Sequence, residues 1–344
     1  MHRPLRLTCS KDALVANWHA LARRAGVPCG AAIKADGYGL GARHVLNTLY
    51  AVGCRDFFVS TWWEVSELGK LPTDASLSVL HGVGADDIGS VQQQPQHVRP
   101  VLNSIGQVEL WKRIAPGREC DVMIDTGMNR LGLRAEEAGV LANLDIHTLH
   151  SHLACADEDH AMNRAQLARF KAAASEVPAR RYSLANSAGI YLGQDYSFDL
   201  VRPGLALYGG VPRPEARGEL RQVARLEAQV VQRRIIRAGE SCGYGAQFVA
   251  SLDVEAAIVN IGYADGYWRG FSGQGRAEIG GVELPVLGRV SMDLVALGCD
   301  QIIDLAEGDW VSLNFSLEEA ARTSGMSQYE LLTGLGRRFE RRWQ

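Results

Sequence analysis

Lys34 is the residue whose setting first suggests chemistry. It ends a short apolar segment, Gly30–Ile33, and is followed by Gly37 and Gly39 with Tyr38 between them. The apolar run reads as a buried strand and the glycines as a turn. An amine at the exit of a buried strand loses hydration, which lowers its pKa and makes it a nucleophile able to form a Schiff base. A lysine merely emerging onto the surface past a strand end would look the same. The chain has only five lysines, Lys11, Lys34, Lys70, Lys112 and Lys171, so few amines compete for that role. Further polar residues stand just after apolar runs: Asp125 and Arg130, His152, Asn186 and Ser187, Arg202 and Gly204. His150 and His152 would share a strand face and could read as a metal pair, but no convincing further ligands accompany them.

The elements that must position these residues alternate. A weakly alternating opening, LRLTCS, precedes a helix over 10–26, capped by Ser10 and stopped by Gly26. From Lys34 onward, strand patterns recur at 56–60, 77–82, 97–103, 120–127, 146–154, 182–187 and 199–210, most of them followed by a helical pattern. With the strand that ends in Lys34 these make eight, which predicts a parallel (β/α)8 barrel rather than a doubly wound sheet, since no G-x-G-x-x-G follows the first strand. Barrel sites lie at the C-terminal ends of the strands, where the polar residues above fall.

After about Pro214 the pattern changes to strands: 224–240, 253–267 and a hairpin across Gly280-Gly281 within 277–298. Helix returns only in 316–325 and 327–338, where Ser316 and Glu319 fit a capping box. The expected division is a barrel domain over 1–218 and a mostly β domain with a helical tail over 219–344, with the boundary in the polar, two-proline stretch 212–222.

The 344 residues are 47% hydrophobic and carry a net charge of -3, ordinary for a globular protein and without general attraction to nucleic acid or acidic membranes. Seven scattered cysteines without a C-x-x-C pair, and no leader-like segment, suggest reduced thiols and a cytoplasmic protein. No apolar run reaches membrane-spanning length.

Eight motifs, in order, resemble the alanine racemase family: KADGYG (34–39), DTGMNRLG (125–132), HSHLACADE (150–158), ANSAGIY (185–191), VRPGLALYG (201–209), GYGAQF (243–248), GYADGYWR (262–269) and GRVSMD (288–293). The resemblance implies a pyridoxal 5'-phosphate enzyme that interconverts L- and D-alanine and supplies D-alanine for peptidoglycan. Lys34 resembles the lysine that holds the cofactor aldehyde as a Schiff base and acts on the D face. Tyr244 resembles the opposite-face base, which in this family reaches the site from the partner subunit of a homodimer. Free lysine and tyrosine both titrate near 10, so both need lowering to act at neutral pH. Arg202 resembles the arginine facing the pyridine nitrogen; able only to donate, it would leave that nitrogen unprotonated and limit delocalisation into the ring. His152 resembles a histidine near the cofactor ring, Arg130 a residue near the cofactor's phenolic oxygen and the substrate carboxylate. Tyr38, Ser187, Gly204 and Leu205 match the phosphate-binding positions. Met292 and Asp293 resemble partner-derived residues beside the substrate carboxylate, and Tyr263 one narrowing the entry. No metal is implied.

One departure stands out: Met123 occupies the position of a lysine that braces the arginine in many members, leaving Asn129, Asp125 or an anion to position Arg130. The C-terminal YELLTGLGRR also lacks a match to a phosphate-contacting tyrosine. Alternatives are a broader amino-acid racemase, a decarboxylase of the same two-domain fold, a metal-dependent barrel hydrolase, and a non-catalytic cofactor-carrying barrel. The last resembles only the first half of the chain.

Overall fold

The structure, a computed structural model, describes residues 2–344. The chain opens with β1 (Leu5–Cys9) and α1 (Lys11–Ala25). Ser10 caps α1, its Oγ accepting the Ala13 N–H at 3.1 Å, and Gly26 ends it at φ +67°. Two compact units follow from the contacts: residues 14–221, and residues up to 13 together with 222–344.

The first unit alternates strand and helix: β2 (Ala31–Ala32), α2 (Ala42–Ala51), β3 (Asp56–Val59), α3 (Trp62–Leu68), β4 (Ser76–Val79), α4 (Ile88–Gln93), β5 (Val98–Leu102), α5 (Ile105–Ile114), β6 (Cys120–Met123), β7 (Ile146–His150), α6 (Ala161–Glu176) and β8 (Arg181–Ser183). The seven strands β2 to β8 pair in parallel in sequence order. They are buried almost throughout, because a parallel sheet in a closed fold is covered on both faces. The eighth strand expected at 199–210 is reduced to a bridge. Val201 pairs in parallel with Cys29, its N–H donating to Pro28 O and its carbonyl accepting from Gly30 N, while the Asp199 N–H reaches Tyr182 O in β8. That bridge closes the ring and yields a (β/α)8 barrel.

The second unit holds β9 (Ala224–Ile236), β10 (Ser241–Cys242), β11 (Phe248–Val249), β12 (Val254–Val259), β13 (Arg276–Ile279), β14 (Val282–Leu287), β15 (Val295–Gly298), β16 (Trp310–Leu313), α7 (Leu317–Ser324), α8 (Gln328–Thr333) and β17 (Glu340–Trp343). Neighbours run β12-β15-β14-β13-β16-β9, and β9 also pairs with β12, so six strands close on themselves. The thirteen-residue β9 makes this possible: Leu226–Gln229 pair with β16 and Val230–Ile236 with β12. Strand β1 joins β9 antiparallel and β17 in parallel. The β13–β14 hairpin turns at Gly280 and Gly281, both at positive φ, as a two-residue hairpin of this twist demands.

The capping box expected at Ser316 and Glu319 is not formed: Ser316 makes no side-chain cap, and Glu319 accepts from Asn314 Nδ2 at 3.3 Å instead. A reciprocal cap forms one helix later, where the Glu330 N–H donates to Ser327 Oγ and the Ser327 N–H to Glu330 Oε2.

Candidate active site

Lys34 leaves the barrel directly after β2 and Ile33, half-buried. The chain then winds the wrong way: Ala35, Asp36, Gly37 and Tyr38 hold φ of 52°, 52°, 62° and 55°. A left-handed turn disfavours non-glycine residues by roughly 1–2 kcal/mol each, so the surroundings must impose it. Three groups do. The Ala35 N–H donates to Glu64 Oε1 at 2.6 Å, the Ala42 N–H to Asp36 Oδ1 at 2.8 Å, and the Gly37 N–H to Ile33 O at 2.8 Å. Desolvation and the positive charges of Arg130 and Arg202 pull the Lys34 amine below its ordinary pKa, against the opposing pull of Glu64.

Arg202 follows the bridge at Val201 and is buried beside Lys34's mouth of the barrel. Its guanidinium donates to Ser151 O at 2.6 Å and to Ser183 Oγ. Burial brings it down to about 10, still protonated at neutral pH. His152, two residues past the end of β7, is pulled down to about 3 by burial and then by Arg202, Arg130 and Lys34, so its imidazole is neutral. Gln166 of α6 fixes this edge. Its Nε2 donates to His152 O at 2.9 Å and to Thr126 Oγ1 at 3.1 Å, and its Oε1 accepts the Ala154 N–H at 2.8 Å.

The last barrel loops form a cradle. Ser187 Oγ accepts the N–H groups of Gly204 and Ala206 at 2.9 and 3.2 Å. The Tyr38 ring stacks on Tyr208 with centroids 4.7 Å apart. A Cβ at position 204 would stand 2.1 Å from the Tyr38 hydroxyl, so any side chain there would displace the Tyr38 ring. Leu205 begins the following short helical turn, Leu205–Tyr208. Tyr38, Ser187, Gly204 and Leu205 are therefore brought together.

Arg130 lies exposed after the Asp125 loop. Asp125 Oδ1 accepts the N–H groups of Gly127, Met128 and Asn129 at 2.9 to 3.1 Å, so that carboxylate braces the loop backbone and not the guanidinium. Among the described residues Arg130 has no ion pair. Met123 is buried under this loop, its Cγ 3.0 Å from where a Cβ on Gly132 would stand.

The remaining expected residues gather on the second unit. Tyr244 sits on a turn between Gly243 and Gly245, both at positive φ, and is 68% exposed. The backbone of Arg289 lies beside Gly243 and its guanidinium beside Gly245. The Tyr263 and Ala264 N–H groups donate to Ser291 O and Met292 O at 3.0 and 3.1 Å, and the Arg269 guanidinium lies 4.9 Å over the Tyr263 ring. Met292 is 53% exposed and Asp293 pairs with Arg338. The loops 243–246, 262–267 and 288–293 thus form one cluster holding Tyr244, Tyr263, Met292 and Asp293.

Sequence reasoning missed Ser151 and Ser183, which hold Arg202; Gln166; Tyr208; and Glu64. Only Glu64 left a signal, since Thr61-x-x-Glu64 is a capping-box pattern, and that box does form at the start of α3.

A closed parallel barrel with a desolvated amine and a buried guanidinium at its strand ends, joined to a mostly β domain, defines a two-domain barrel protein that carries an amine at the barrel mouth. Comparison with known proteins specifies the family. The family model for the alanine racemase N-terminal domain matches residues 9–212, and that for the alanine racemase C-terminal domain matches residues 223–343. The chain is 41% identical over 354 residues to the catabolic alanine racemase of Agrobacterium fabrum, covering 97% of this chain and 91% of the relative. It is 39% identical over 368 residues to the biosynthetic alanine racemase of the same organism, covering 99% and 94%. A crystal structure of alanine racemase from Bartonella henselae with covalently bound pyridoxal phosphate superposes with a TM-score of 0.91 at 35% identity, covering both chains fully. This chain belongs to the alanine racemase family.

Proposed function

We propose that the protein interconverts L- and D-alanine with pyridoxal 5'-phosphate, using Lys34 and Tyr244 as bases on opposite faces of the substrate's α-carbon. The observation that most supports this is the meeting at one barrel mouth of a desolvated amine, Lys34, a buried guanidinium, Arg202, and the cradle of Tyr38, Ser187, Gly204 and Leu205. These groups fit the cofactor: an amine for its aldehyde, a donor for its ring nitrogen, and hydroxyl and backbone donors beside a glycine for its phosphate. When bound, the cofactor supplies an electron-withdrawing ring that acidifies the α-hydrogen of an amino acid attached through its nitrogen.

Lys34, lowered by desolvation and by Arg130 and Arg202, is poised to take or give a proton at Nζ on the D face. Arg202 has only donors, so it orients the ring without giving up a proton. Neutral His152 lies close enough to Arg202 and Lys34 for their charges to lower it, and it lines the same mouth. Arg130 offers its guanidinium to the substrate carboxylate. Tyr244 Oη serves the L face. Two bases on opposite faces are needed because a single base would return the proton to the side it came from. We infer that Tyr244, Met292, Asp293 and the entry residue Tyr263 come from the second subunit of a homodimer; the exposure of Tyr244 and Met292 in the single chain supports this. The assignment also makes 1–218 the cofactor domain and 219–344 the domain that completes the neighbouring site, in a cytoplasmic protein.

A panel of L-amino acids with chiral product analysis tests the reading. D-alanine as the main product supports it, several racemised substrates would indicate a broader racemase, and carbon dioxide release would indicate a decarboxylase. Lys34→Ala should abolish the Schiff-base absorbance, and Tyr244→Phe should impair solvent-hydrogen uptake on one face more than on the other. We place the D-alanine product in peptidoglycan supply; rescue of a D-alanine auxotroph tests this.

A further inference from the structure

The tail that follows α8 carries an arginine with two tasks. Arg338 Nε and Nη2 donate to the two oxygens of Asp265 at 2.6 and 2.8 Å, and its Nη1 donates to Asp293 Oδ1 at 2.7 Å. Asp265 is fully buried and belongs to the loop bearing Tyr263; Asp293 is half exposed and belongs to the loop bearing Met292. The two loops already touch through backbone. Tyr263 and Ala264 N–H groups reach Ser291 O and Met292 O, and a Cβ on Gly262 would stand 2.2 Å from Met292 O. The buried end is anchored as well: Asp265 Oδ2 accepts the Gly262 N–H at 3.0 Å, and Asp265 O accepts the Gly336 N–H at 3.2 Å.

This is an asymmetric arrangement. The planar guanidinium fork is fixed on a carboxylate that cannot move, which leaves one N–H aimed at a carboxylate that can. A surface pair between two mobile side chains would position nothing. Here one partner is locked in the core, so the orientation of Asp293 is inherited from Asp265.

We propose that Arg338 is a positioning residue for substrate binding, setting the 288–293 loop through Asp293 while anchored on Asp265. The inference rests on the reading above that Met292 and Asp293 face the substrate. It assigns a role to the C-terminal tail, which that reading leaves without one.

The test is steady-state kinetics on the holoenzyme in both directions, with Arg338→Lys, Asp293→Asn and the double variant. Lysine can pair with Asp265 but lacks the fork that reaches Asp293 as well. Arg338→Lys should raise KM for L- and D-alanine about fivefold or more while kcat changes less than about twofold. In the Asp293→Asn background the same change should cost less than about twofold, because its route of action is already cut. Effects that multiply, or a fall in kcat at constant KM, would overturn the proposal. A readout independent of turnover is amide exchange: the Tyr263 and Ala264 N–H groups should exchange about tenfold faster in Arg338→Lys. Unchanged exchange would overturn the proposal, whereas a wild-type holoenzyme that racemises nothing would overturn only the functional reading beneath it. Should Arg338→Lys fold poorly, Asp265→Asn/Arg338→Met leaves no buried charge unpartnered and should show the same rise in KM.

Discussion

Glu64 reaches from the start of α3 to the residue beyond Lys34, its Oε1 accepting the Ala35 N–H at 2.6 Å. Its other oxygen accepts the Ser60 and Thr61 N–H groups at 2.5 and 3.1 Å. A single carboxylate therefore ties a helix start to the left-handed turn that presents the amine.

Glu64→Ala should release that turn. Loss of charge-assisted hydrogen bonds predicts about 1.5–3 kcal/mol of destabilisation. Because the orientation of Lys34 also loosens, borohydride trapping of the cofactor on Lys34 should slow. Glu64→Gln, which keeps the acceptor for Ala35, should fall between. A normal trapping rate in Glu64→Ala would show that the turn holds its shape unaided.

Gly204→Ala should act through Tyr38. The new Cβ would meet the Tyr38 hydroxyl at 2.1 Å, so the ring or the last barrel loop must move. Cofactor affinity should drop by about tenfold or more, read by fluorescence titration, if both groups face the phosphate. Tyr38→Phe combined with Gly204→Ala should recover part of the loss; no recovery would mean that the backbone, not the hydroxyl, is displaced.

Ser183→Ala removes a side-chain acceptor from a buried cation. Arg202 keeps Ser151 O but loses Ser183 Oγ, so a cost of about 1–3 kcal/mol is expected in chemical denaturation. The spectrum of the bound cofactor should shift as well, since the guanidinium proposed to face its ring nitrogen is less firmly placed. An unshifted spectrum would argue that Arg202 does not face that nitrogen.

Acid should destabilise this fold earlier than carboxylates alone would predict. Burial pulls His150 down to about 4 and His152 to about 3, below the ~6.5 of an unfolded chain. As pH falls below ~6.5 the unfolded chain takes up these protons first, so stability drops by up to ~1.4 kcal/mol per pH unit for each histidine until the folded value is reached. Asp121 adds a further term lower down. Its burial alone would raise it, but Arg99 and His150 hold it far below the carboxylate range, so its contribution is full above ~3.9 and fades below. Denaturant melts from pH 3 to 8 should show the slope, and His150→Gln should flatten it between pH 4 and 6.5. An unaltered slope would remove His150 from the account.

Candidate site residues that fall where the chain is regular were legible. Lys34, His152 and Arg202 follow apolar runs, and the barrel rule then places them at one end. Ser183 and Gln166 were not, because a serine in YSLANS or a glutamine in a helix carries no mark of the partner it meets across the barrel. The eighth strand was overread: its proline and glycine, Pro203 and Gly204, leave one bridging residue, enough to close the ring and no more. The motifs GYG, GYADGY and SMD pointed to function, but their clustering depends on backbone contacts between loops far apart in sequence, Tyr263 to Ser291 and Gly243 to Arg289. Arg338 gave no signal at all, since nothing in a run of arginines says which one meets a buried carboxylate.

Strand β1 lies beside β17, and the Gln344 N–H donates to Cys9 O while the Lys11 N–H donates to Gln344 O. During synthesis the earliest strand must therefore wait, unpaired on that side, until more than three hundred further residues have left the ribosome. Residues 14–221 can consolidate in that interval, while the β9-β1-β17 side of the second unit must assemble last and slowly, from strands more than three hundred residues apart.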